Sequence, residues 1–192
     1  MMRKNFCFVF LLSLVVTLSA QNDTTDTGGL FSGAANSAKM LAAKHEYNEN
    51  NMRGALTMYR EILTDEPNNA AATYWTARCH YKLKKYDLAK EYLDKAVALE
   101  PGVQSDINFF YGEIHHRLAE LELAIGHFIT YLEDKTGEKM VRTAVISQGD
   151  GQQQWPLYFK EIRTYLSSLD EGTWKDYQRF MARKHIQQCM YA

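Results

Sequence analysis

Residues 70–101 read AAATYWTARCHYKLKKYDLAKEYLDKAVALEP. Tyr74, Ala77 and Tyr81, then Ala89, Leu93 and Ala96, fall at helical spacing on either side of the connection Lys84-Lys85-Tyr86-Asp87. Ala77 and Ala89 are small where two helices would have to approach, and a larger side chain at either would push the axes apart. Pro101 ends the second segment, because it lacks an N–H and disfavours helical geometry in the residue before it. The stretch therefore predicts an antiparallel helix pair.

The same features stand elsewhere at a fixed step. Ala43, Tyr47, Ala55, Tyr59 and Pro67 recur 34 residues on as Ala77, Tyr81, Ala89, Leu93 and Pro101. Gly112, Ala124 and Phe128 continue the series after a step of 35, the extra residue falling in the turn Pro101 to Asp106. Periods of this size mark stacked repeats, in which one helix pair cannot bury its apolar face alone. The expectation is an all-α right-handed solenoid of three helix pairs sharing one continuous core.

A small residue, then Ala-x-x-x-aromatic, then Pro, at this period, resembles the tetratricopeptide repeat over roughly Ala35 to Asp134. Repeat one is the weakest copy, with Ala43 in place of the usual glycine. The resemblance implies a groove lined by the first helix of each repeat. Aligned by column, that face holds Met40, Lys44, Tyr47 and Asn48, then Tyr74, Arg78, Tyr81 and Lys82, then Phe109, Glu113, His116 and Arg117. Rings beside basic groups suit a protein partner with an extended, acidic peptide, since rings offer flat contact area and Arg or Lys grips carboxylates. The competing reading makes Tyr47, Tyr74, Tyr81 and Phe109 interhelix core. The chaperone-type carboxylate clamp does not match, because its positions here include Met40, Trp75 and Asp106.

The ends of the chain speak to location. Arg3 and Lys4, the apolar run Phe6 to Val16, and Ser19-Ala20 before Gln21 predict a secretory signal peptide over 1–20. Residues 21–35 are rich in Thr, Asp, Gly and Ser and predict a flexible leader, with repeats over 36–134. Losing Arg3 and Lys4 takes the formal charge from −1 to about −3. A nucleic-acid binder would instead show a clustered basic excess. Residues 135–172 leave the repeat pattern and predict an insertion with one helix (Phe159, Ile162, Leu166, Leu169) after a turn at Gly149-Asp150-Gly151. Thr173 to Ala192 predicts a helix capping the solenoid. Its end, Arg183 to Ala192, resembles the close of the N-terminal repeat module in Gram-negative envelope proteins that join such repeats to a β-propeller and an OmpA-like domain. Peptidoglycan binding by that family transfers to no residue of this sequence.

Catalytic signatures are missing from the sequence: no nucleophile elbow, Walker loop or dinucleotide glycine motif occurs. His45-Glu46 lacks a second His at position 49, which is Glu. His80, His115 and His116 read as packed ring positions, and Cys79 and Cys189 as buried thiols. No catalytic residue, metal or cofactor is expected. The reading is an exported, non-enzymatic scaffold at the periplasm or outer membrane, its partners proteins of an envelope or secretion complex, with no nucleic acid and no membrane span in the mature chain. The alternative is a small exported enzyme or regulatory binding subunit with its site in 135–172.

Overall fold

The computed structural model describes residues 27–141 and 155–192. These form helices α1 (Thr27–Asn48), α2 (Met52–Asp65), α3 (Ala70–Lys82), α4 (Tyr86–Leu99), α5 (Ile107–Arg117), α6 (Leu121–Thr136), α7 (Trp155–Ser168) and α8 (Tyr177–Tyr191), with a 3-10 turn at Glu171–Lys175 and no strand among the described residues. Pairs α1/α2, α3/α4 and α5/α6 are the three repeats. Each pair also leans on the next, α2 on α3 and α4 on α5, so the architecture is the expected all-α solenoid of three helix pairs.

The small columns do what their size demands. Ala43, Ala55, Ala77, Ala89 and Ala124 are fully buried. At Gly112 even a methyl would stand 2.7 Å from the Phe128 ring, so α5 and α6 touch backbone to ring there.

The period also governs the turn inside each pair. Asn50, Lys84 and Ala119 all take left-handed φ, at 63°, 60° and 61°. In each copy the left-handed residue follows the end of a first helix, and the next amide reaches back five positions: Asn51 to Glu46, Lys85 to His80 and Glu120 to His115. These are Schellman closures, which satisfy helix-end carbonyls. None of the three is glycine, so composition gives no hint of them. Among α2 to α6, side chains cap only α2 and α3: Asn51 accepts from the Gly54 amide at 3.2 Å and Asn69 from Ala72 at 2.9 Å.

Four expectations need correction. The core is not continuous; buried residues form three clusters, each centred on a seam between neighbouring helices. A stacked array has only nearest-neighbour contacts, and α5 shows the division: Phe110 and Ile114 face one cluster, Phe109 the next. Second, α1 begins at Thr27, inside the span expected as a leader to residue 35; just past that span Asn36, 3 % exposed, donates at 2.9 Å to Glu66, which caps the end of α2, and so anchors α1. Third, α6 runs to Thr136, past the expected repeat boundary at 134. Fourth, the terminal helix starts at Tyr177 and not Thr173, because Asp176 caps it by accepting from the Arg179 amide at 3.0 Å. Residues 1–26 and 142–154, which hold the expected signal peptide, the start of the leader and the Gly149 turn, lie outside the described residues.

α7 and α8 close the exposed side of α6. Ile162, Leu166 and Leu169 join Ala182, Ile186 and Met190 in one cluster with Ile125, Ile129 and Leu132. The chain after α6 is tied back by Glu133, which accepts from the Met140 amide at 2.9 Å, and by Tyr165, whose hydroxyl donates to the Glu138 carbonyl at 3.1 Å.

Candidate functional site

The inner face is carried by α1, α3 and α5, and the structure divides the residues expected to line it. Tyr74 and Phe109, 2 % and 7 % exposed, are interhelix core, as the competing reading held. Tyr74 packs edge-on against Trp75 and Phe110, with centroids 5.7 and 5.8 Å away. Phe109 packs likewise on Phe128 and Tyr131 at 5.6 and 5.3 Å. A quarter-turn of helix separates groove from core, and residue type does not resolve it. Met40 packs on the first cluster. Lys44, Tyr47, Arg78, Tyr81, Glu113 and His116 are half-buried, while Asn48, Lys82 and Arg117 are exposed.

Arg78 is the hub. Its guanidinium lies 4.7 Å over the Phe110 ring and 3.7 Å from Asp106, with the Tyr47 hydroxyl beside it. The Tyr74 hydroxyl donates to the same Asp106 carboxylate at 2.9 Å. Asp106 and Phe110 were not among the expected lining residues, although both sit at the entry to α5 beside the extra residue of the third period. Arg78 is thus a cation already engaged from three sides. Glu113 stands one repeat on. Burial raises its carboxyl above the usual range, against the pull of Arg78, Lys82 and Arg117.

The remaining positive charge is outward. Lys82 is exposed at the end of α3, and exposed Arg117 lies beside the half-buried Tyr81. Lys44 lies 5.4 Å over Trp75, which Tyr47 meets edge-on at 5.2 Å. The surface is a row of rings whose edges carry Lys44, Lys82 and Arg117.

The histidines do not converge on one point. His80 is buried and stacked on Tyr92 at 5.2 Å. His115 stacks on His127 at 5.2 Å and bonds Glu120, whereas His116 faces α8. Among the described residues no group of three or more His, Cys, Asp or Glu side chains is placed to hold a metal. Cys79 and Cys189 are buried free thiols, pushed up by burial to about 12 and about 11. No helix among the described residues is long and apolar enough to cross a membrane.

Stacked pairs with an open inner face define an α-solenoid of the repeat class. Residues 40–104, from the second half of α1 to the turn after α4, match the tetratricopeptide repeat family model. Such repeats generally mediate protein–protein interactions, and the class is typically non-enzymatic. No curated protein matches the chain.

Proposed function

We propose that this chain is an exported, non-enzymatic scaffold that seats an extended acidic segment of a partner protein along α1, α3 and α5, within a cell-envelope or secretion assembly. The observation that carries the reading is the half-buried Tyr81, which offers ring area between the outward cations Lys82 and Arg117. Arg78 is held by Asp106 and serves to shape the surface, so the grip falls to the outer cations. Export rests on the charged-then-apolar pattern of residues 1–20, and the envelope setting on the resemblance of Arg183 to Ala192.

Cross-linked pull-down from envelope extract tests this with wild type and a Lys82→Glu/Arg117→Glu variant. The wild type should retain defined partners, and retention should fall with added salt because exposed charges are screened over about 8–10 Å. Recovery of no partner, or equal recovery by the charge-reversed variant, would defeat the proposal.

A further inference from the structure

The seam between the third repeat and the terminal helix has a composition found at no other described seam. α8 packs on α6 as α3 packs on α2 and α5 on α4, so it takes the seat a fourth repeat would use. At the middle of that seam lies His185. Its ring stacks on Phe128 at 5.2 Å and 11°, stands edge-on to His116 at 5.2 Å and 68°, and meets Phe109 at 6.5 Å. Phe128 and Phe109 are both buried. The charged groups acting on the imidazole pair are Arg117 from α5 and Lys184 from α8, and no carboxylate is among them. α6 contributes the Phe128 ring. Gln188 gives the one compensating contact, its Oε1 3.2 Å from His185 Nδ1.

We propose that the His116–His185 contact is an acid-opened latch: in mildly acidic medium α8 leaves its seat and uncovers Phe109 and Phe128 at the end of the solenoid. One proton is tolerable, since an imidazolium keeps its attraction to the Phe128 face. A second, one ring away and beside Arg117 and Lys184, meets only like charge. The direction of both shifts agrees. Burial, then Arg117, holds His116 below its ordinary value, and burial, then His116, holds His185 below its own. Released into water, each would return to about 6.5. Docking is therefore fully favoured above that pH and is lost as pH falls below it, by up to about tenfold per pH unit for each imidazole. The inference does not depend on what the groove binds.

Hydrogen exchange of the full chain, read by mass spectrometry and corrected for intrinsic rates, tests it between about pH 7.5 and pH 5. Protection of 177–191 should fall at least about tenfold while α3 and α4 change little. His116→Gln and His185→Gln should each flatten that dependence. Constant protection of α8, loss in step with α3 and α4, or an unchanged slope in both variants would overturn the latch. Should a Gln variant release α8 even at neutral pH, the imidazole titrations in the wild-type chain decide. Values for His116 and His185 at or above about 6.5 would overturn it, and values below would uphold it.

Discussion

Two glycines in facing helices of the third repeat permit a sharp test of its packing. A Cβ on Gly112 would lie 2.7 Å from Phe128 Cδ1 and Cε1 and 2.8 Å from Cζ, whereas one on Gly126 would meet nothing within 4 Å. Carbon atoms pack best at about 3.5–4.0 Å, so the ring or the helix must retreat by most of an ångström. The ring is fully buried, with Phe109 at 5.6 Å and His185 at 5.2 Å on its flanks, and has nowhere to go. Overpacking of this kind costs about 1–3 kcal/mol. Alanine replacing a helical glycine returns about 1 kcal/mol at either position. The helix gain cancels between Gly112→Ala and Gly126→Ala, leaving a difference of about 1–3 kcal/mol that reports the clash alone. Urea unfolding followed by circular dichroism, with the m-value checked for constancy, measures it. Gly126→Ala should exceed wild type by about 1 kcal/mol, and Gly112→Ala should fall below Gly126→Ala by the stated amount. Phe128→Leu should cost less in the Gly112→Ala background than alone. Equal stability of the two alanine variants would refute the close approach of α5 to Phe128.

Further expectations follow from other contacts. Ala119→Gly should stabilise by about 1 kcal/mol, since a left-handed alanine carries about 1–2 kcal/mol of strain; a lowered melting temperature would count against the turn. Ala89→Leu, at a fully buried position, should cost about 1–3 kcal/mol by the same urea assay. His127, stacked between Tyr111 and His115, is held down to about 4, first by burial and then by the charges of His115 and Lys90. A lowered imidazole favours the folded chain above about 6.5 and loses that advantage as pH falls toward its folded value. Melting temperature should therefore drop less between pH 7 and about pH 4.5 in His127→Phe than in wild type. Arg78→Glu should lower stability as well as binding, because the guanidinium holds Asp106 and covers Phe110; Lys82→Glu should affect binding alone, and an unchanged melting curve for both would show that the hub is not structural.

The repeat fold was legible because its cause is periodic. A small residue is required wherever two helices cross closely, and Ala43, Ala77 and Gly112 mark that requirement at steps of 34 and 35. The left-handed turns share the step, yet went unseen because Asn50, Lys84 and Ala119 have no chemistry in common. What they share is backbone geometry enforced by the helices on either side. The inner face was half legible. Tyr81, Lys82 and Arg117 keep the exposure expected of lining residues, but Tyr74 sinks into the core because Asp106, 32 residues away, satisfies its hydroxyl. A tyrosine's depth depends on whether a partner for its oxygen exists elsewhere, and no local pattern carries that information. His185 was missed for a related reason. Its meaning comes from His116 and Phe128, which only the docking of α8 brings near.

The division of the interior into three clusters has a mechanical corollary. Trp75 packs against the first cluster and the second, and α5 gives one side to the second and the other to the third. Among the described residues no side chain bolts all three together, so each seam can re-angle slightly while its own contacts stay intact. The molecule is built as a spring with stiff coils and compliant joints. A change of curvature would load those joints before it disturbed any one core. A peptide lying along α1, α3 and α5 would act as a splint across those joints, making segments that yield separately when empty yield as one when loaded.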